Sequence, residues 1–248
     1  MDLGLHDRVF IITGGSRGLG FATAQCLIAE GARVVLVGRH EDSLAKAAAT
    51  LGTNAASLSG DTRDTQLPHE AMALAVSSFG RIDGALISGG GPPAGTAMRI
   101  TDDQWRDAFD SVFLGGLRMA RTLLESNTPV SIAWVLSSSA VEIITGLGAS
   151  NGLRPGLAML IKDLADEVAP LGSRVNGLLP GRIATDRITE LDAALGAEAR
   201  DRIRTAIPQG RYGDPREFGQ VAAFVLSPAA SYVTGTLIRV DGGLTRHP

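Results

Sequence analysis

Residues 13–20 read Thr13-Gly14-Gly15-Ser16-Arg17-Gly18-Leu19-Gly20. A glycine run of this kind lets the backbone turn tightly and come close to a pyrophosphate, if a strand delivers it and a helix leaves it. The helix N-terminus then offers free N–H groups and the positive end of its dipole. Both conditions are met in the sequence. Residues 8–13 (RVFIIT) form a buried-strand pattern, and residues 18–30 carry helical periodicity through Leu19, Ala22, Cys26 and Ala29. A plain glycine-rich turn is the alternative, and the surrounding βαβ pattern argues against it. An acid at the end of the second strand would bind ribose hydroxyls. Here that end reads Val37-Gly38-Arg39-His40, with no acid before Glu41. Arg39, joined by Arg17, is placed to meet a 2′-phosphate, because a guanidinium is a permanently charged fork of donors. Two solvated surface arginines are the alternative. The expected ligand is a nicotinamide dinucleotide, NADP(H) in preference to NAD(H).

The elements that must position this loop follow from the pattern along the chain. Apolar strand-like runs at 8–13, 33–37, 55–59, 84–88, 130–136, 174–179 and 236–240 alternate with helical stretches at 18–30, 41–51, 68–79, 102–125 and within 157–168. Such alternation predicts an α/β fold: a Rossmann-type, doubly wound parallel sheet of about seven strands with helices on both faces. Thr101 is a plausible N-cap for the long helix. No linker divides the chain, so one domain over residues 1–248 is expected. The polar helical stretch at 186–212 interrupts the rhythm and suits a lid over a substrate pocket.

Composition narrows the partners. With 44% hydrophobic and 20% charged residues and a net charge of −3, the 248-residue chain reads as a soluble protein with no electrostatic case for nucleic acid or an anionic membrane. Cys26 is the single cysteine, which excludes an intrachain disulfide, and His6, His40, His69 and His247 are too scattered to suggest a metal site. No signal peptide or membrane-spanning run is visible, so a cytoplasmic location is expected.

With these motifs in order, the chain resembles the short-chain dehydrogenase/reductase family over its whole length. The loop at 13–20 matches TGxxxGxG. Asp61 stands where that family places an aspartate near the adenine, and Ser88-Gly89-Gly90 where it has Asn-Ala-Gly. Pro180-Gly181 with Ile183 and Thr185 resembles the PGxxxT segment that contacts the nicotinamide amide. Residues 232–243 resemble the C-terminal YxTG…DGG signature. The resemblance implies a small-molecule substrate and a homo-oligomer, dimer or tetramer, built on the long helices.

The catalytic positions depart from that pattern. Alignment on Leu164-Ala165-Asp166-Glu167 and Val175-Asn176 puts the family's YxxxK positions at Ser150 and Arg154, its serine at Ser137 and its asparagine at Val112. The chain is thus similar to a divergent branch of the family with SNxxR in place of YxxxK. A serine hydroxyl is far less acidic than a phenol, and arginine stays protonated where lysine can relay a proton. Ser137, Ser150 and Arg154 are the candidate catalytic residues. Tyr212, Tyr232 and Glu142 are weighed as substitute acids, each with a bland reading as lid, packing or loop. Gly152, Pro155 and Gly156 suggest that the helix after Ser150 starts late or is distorted. Three functions stay open: an NADP(H)-dependent oxidoreductase of a small carbonyl or alcohol with altered acid–base residues, a catalytically silent dinucleotide-binding protein, and a lyase or isomerase on the same fold.

Overall fold

A computed structural model describes residues 1–126, 128–193 and 196–246. Residues 194 and 195 of the stretch at 186–212, and His247, lie outside the described residues. The strands β1 (Val9–Thr13), β2 (Arg33–Gly38), β3 (Ala55–Ser59), β4 (Gly84–Ile87), β5 (Ser131–Val135), β6 (Arg174–Pro180) and β7 (Leu237–Val240) form one sheet in the order β3-β2-β1-β4-β5-β6-β7. Every neighbouring pair is parallel. The order reverses between β1 and β4, so a crevice opens beyond the C-terminal ends of those two strands, where α/β sheets bind ligands.

Parallel strands buried on both faces need apolar side chains at consecutive positions, and β1 is buried throughout. Val9 and Ile11 point into one core, against α3 (Leu67–Phe79), α5 (Gly115–Leu124) and α6 (Gly148–Val168). Phe10 and Ile12 point into the other, against α1 (Gly18–Ala29), α2 (Glu41–Leu51) and α9 (Pro215–Leu226).

Two helices differ from the sequence expectation. The helix expected over 102–125 is instead α4 (Asp102–Ala108), a π-helical stretch (Phe109–Leu114) and α5. Thr101 does cap it, in a reciprocal box with Gln104. Glycine lets the start of α5 lie close to the sheet: a Cβ on Gly116 would meet the Trp134 ring at 2.3 Å. The second difference is α6, which begins at Gly148 and runs through Gly152, Pro155 and Gly156. Proline inside a helix forgoes one hydrogen bond and costs about 3 kcal/mol in general. Local anchoring offsets it. Gly148 N–H donates to Gly95 O at 2.8 Å. The Asn151 amide clamps Ile144, accepting from its N–H at 3.0 Å and donating to its carbonyl at 2.9 Å. Asn151 therefore fixes the loop that feeds α6.

Candidate functional site

The cradle is made where β1 passes into α1. Gly14 and Gly18 take φ values of +62° and +57°, in the left-handed region that glycine occupies without strain. Close approach is the second reason for glycine. A Cβ on Gly14 would lie 2.4 Å from Ser88 O, and one on Gly20 would lie 2.4 Å from Gly14 O. No side chain caps α1, and its first turn holds no acid, so its N–H groups and dipole face outward without an internal anion. Ser88 N–H donates to Thr13 Oγ1 at 2.7 Å, tying the ends of β4 and β1 together across the switch point.

Charged groups surround this cradle in two states. Arg17 and Arg39 are exposed, and neither forms an ion pair among the described residues. Asp61 is committed: Arg63 donates to it through Nε at 3.0 Å and Nη2 at 2.8 Å. This pairing holds the Asp61 carboxyl down at about 2. Thr185 lies next to Gly18, at 3.7 Å from the position a Cβ there would take. Ile183 is buried and bridges to Gly213, and Gly181 packs on Asp241, where a Cβ would clash at 2.6 Å. Thus Pro180, Gly181, Ile183 and Thr185 bring the end of β6 to the loop of β1. Gly89 and Gly90 have open space at their Cβ positions. Ser16 is half-buried, as is Leu19, which packs on the core under α1. These residues fit a dinucleotide: a glycine floor that no Cβ would leave open, an uncapped helix N-terminus, and two exposed arginines, Arg17 at the start of α1 and Arg39 just after β2.

The segment expected to carry acid–base chemistry is arranged differently from the count along the chain. Ser137 does not meet Ser150. Its Oγ accepts from Ser139 N–H at 3.2 Å and caps the short 3-10 turn Ser138–Ala140. That turn swings Ser139 toward α6, where its Oγ lies 2.8 Å from Ser150 Oγ. Both hydroxyls are buried, at 3% and 6% exposure. The run Ser137–Ser139 is a candidate for binding a substrate oxygen in the sequence, with Ser137 preferred; the turn aims Ser139 at α6 instead. Arg154 points inward, donating from Nη1 to Val135 O at 2.8 Å, while its Nε has no partner. Burial, and then the charge of Arg187, push its guanidinium down to about 10. A small cavity of about 10 Å³ lies beside it, lined also by Thr13, Ile87, Gly89, Val112 and Trp134. Val112, at the family's asparagine position, sits within the π-helical stretch.

The substitute acids are placed elsewhere. Tyr212 donates to Asp192 Oδ2 at 2.6 Å, and burial plus that bond raise its phenol above the ordinary value. Arg182 holds the other Asp192 oxygen at 2.9 Å. Tyr232 is fully exposed at 104%, which corrects its reading as a packing residue. Glu142 accepts from Arg246 N–H at 3.0 Å, in contact with the C-terminal segment.

A family model described as Enoyl-(Acyl carrier protein) reductase matches residues 14–245, nearly the whole chain. The chain belongs to the short-chain dehydrogenase/reductase family. It is 29% identical over 245 residues to a 3-oxoacyl-[acyl-carrier-protein] reductase of Vibrio harveyi, covering 98% of this chain and 99% of that one. A short-chain dehydrogenase/reductase of Brucella melitensis superposes with a TM-score of 0.92 at 30% identity, each chain being covered completely. The L-sorbose reductase of Gluconobacter frateurii, solved with NADPH and L-sorbose, superposes with a TM-score of 0.90 at 28% identity over the full length of both chains. The kinship is to oxidoreductases, and the seven-stranded parallel sheet is the fold of these neighbours. Among the described residues no helix is long and apolar enough to cross a membrane.

Proposed function

We propose that this chain is an NADP(H)-dependent oxidoreductase of a small carbonyl or alcohol, in which a buried pair of serine hydroxyls stands where the family keeps a tyrosine. The observation that carries the reading is the cradle: glycines that exclude any Cβ beneath the ligand, with Arg17 and Arg39 unpaired beside it. An acid at the end of β2 would repel a 2′-phosphate, and the arginines attract it. Asp61 keeps a fixed negative charge, held by Arg63 and felt by Arg39.

When bound, the nicotinamide supplies or accepts a hydride. The chain's own part is to orient the reacting oxygen. Ser139 and Ser150 share one hydrogen between their oxygens, which leaves the second hydrogen free to be donated to a substrate oxygen. Such a donor stabilises developing negative charge but does not deliver a proton near neutral pH, so the proton comes from water. Loss of a positioned general acid lowers rates by about 10²–10⁴-fold, so slow turnover is expected. Segment 186–212 then serves as the lid that completes the substrate pocket. A second reading, a silent dinucleotide-binding protein, is favoured by one feature. Arg154 is buried and spends Nη1 on Val135 O.

The test is to follow NADPH consumption with a panel of small aldehydes and ketones, in the wild type and in Ser150→Ala. Turnover that falls about tenfold or more in the variant supports the oxidoreductase. Saturable NADPH binding with no turnover of any carbonyl supports the silent protein.

A further inference from the structure

Arg187 lies in the first turn of α7 (Asp186–Ala193), which follows Thr185 at the cradle. Its guanidinium reaches across to the loop after β4, where Nη2 donates to Pro92 O at 3.3 Å. Gly91 makes the approach possible: a Cβ there would lie 2.3 Å from the same Nη2. That single long bond leaves most of the five donors of the fork unused, and Arg187 forms no ion pair among the described residues. Beneath the same loop lies Arg154, 95% buried by its 5% exposure, also without an acid and with an orphaned Nε beside the cavity under Gly89. The two cations sense each other, because Arg187 opposes the charge of Arg154.

Arg154 is the costly one of the two, since burial and repulsion from the exposed Arg187 both disfavour its charge. A neighbouring arginine receives the opposite treatment. Arg182 is neutralised by the buried Asp192 at 2.9 Å. The fold therefore supplies an internal counter-charge for one arginine on this wall and withholds it from the two that face the β4 loop. An anion arriving from outside would complete that arrangement. The phosphates of a dinucleotide already have the α1 N-terminus, Arg17 and Arg39.

We propose that the crevice takes a carbonyl substrate bearing a carboxylate, and that Arg187 binds this carboxylate with its guanidinium seated over Gly91. The proposal rests on the oxidoreductase reading. A planar fork suits a carboxylate because two parallel N–H donors meet its two oxygens. Arg154 lies too deep for contact and adds positive potential from below.

The probes are acetoacetate, its methyl ester and inorganic phosphate, titrated calorimetrically into the NADPH-loaded and the free protein, as wild type, Arg187→Gln and Gly91→Ala. Wild type is expected to bind acetoacetate about tenfold or more tightly than the ester, the worth of a charge-assisted bond. Arg187→Gln should erase that preference with NADPH affinity unchanged, and Gly91→Ala should weaken it by displacing the guanidinium. Equal binding of acid and ester, binding of neither, or a preference that survives Arg187→Gln overturns the proposal. So does phosphate binding more tightly than acetoacetate, or a loss of NADPH affinity in Arg187→Gln with the preference intact, which would assign Arg187 to the cofactor. Failure of the wild type to bind NADPH breaks the oxidoreductase reading instead, and the acid–ester preference of the free protein then decides the anion site separately.

Discussion

The β1–α1 cradle and the Ser137–Arg154 segment line the same crevice under opposite constraints. In the cradle, main-chain geometry does the work. Gly14 and Gly20 sit 2.4 Å from backbone oxygens at the positions a Cβ would take, so no other residue fits without moving the chain. In the second segment, side-chain ends do the work, and these can be exchanged while the sheet stays as it is. A short hydroxyl at position 150 finds Ser139, and an arginine at position 154 finds the Val135 carbonyl. On the proposed reading, holding a dinucleotide and moving a proton are thus separable properties of this fold. The first is locked into the backbone, and the second rests on a few replaceable atoms.

The sharpest way to break this contrast is at Gly14. Gly14→Val places a β-branched residue at φ +62° against Ser88 O. It is expected to cost about 2–4 kcal/mol of stability and to weaken NADPH binding by about 100-fold or more. Urea denaturation and calorimetry measure the two effects, and a folded variant that binds NADPH normally would show that the glycine floor is not the site.

The opposite region should respond in the opposite way. Ser139→Ala and Ser150→Ala each remove one partner of a buried bond, at a cost of about 1 kcal/mol. Each should lower turnover while leaving NADPH affinity unchanged. The double variant should be little worse than either single one, because the two hydroxyls act as a unit. Additive losses in turnover would separate the two serines and place the donor on one alone.

The smallest effect belongs to Asp61. Its pKa falls from 3.8 to about 2 on folding through Arg63. A depressed carboxylate contributes stability above its unfolded pKa and loses it as pH falls through the folded value. The window is therefore between about pH 4 and pH 2. With the pair partly exposed to solvent, the contribution is about 1 kcal/mol or less. Asp61→Asn should lower stability by that amount at pH 7 and by nothing below pH 2. A difference that persists at the lowest pH would point to packing in place of charge.

How much of this was legible in the sequence follows from the same contrast. The central strands could be placed because runs such as Val34–Val37 are buried on both faces and read as unbroken apolar stretches, whereas β3 at the sheet edge is only half-buried and gives a weaker pattern. The cradle was legible because its glycines, its strand and its helix are neighbours in sequence. The start of α6 was not legible. Gly152, Pro155 and Gly156 argue locally against a helix, and the contacts that override them, Asn151 with Ile144 and Gly148 with Gly95, depend on how a loop closes. The role of Ser139 was hidden because counting places residues along the chain, whereas the 3-10 turn at Ser138–Ala140 rotates them. The inward course of Arg154 depends on one buried carbonyl at the end of β5, to which no local pattern points.

The central claim is that the cradle holds NADP(H) whatever the acid–base segment has become. Calorimetric titration of NADPH and NADH into the wild type, Arg39→Ala and Ser150→Ala tests it most directly. The account predicts one saturable NADPH site, about tenfold or more tighter than NADH, with the preference lost in Arg39→Ala and untouched in Ser150→Ala. Absence of saturable binding, or equal affinity for the two dinucleotides in the wild type, would contradict it.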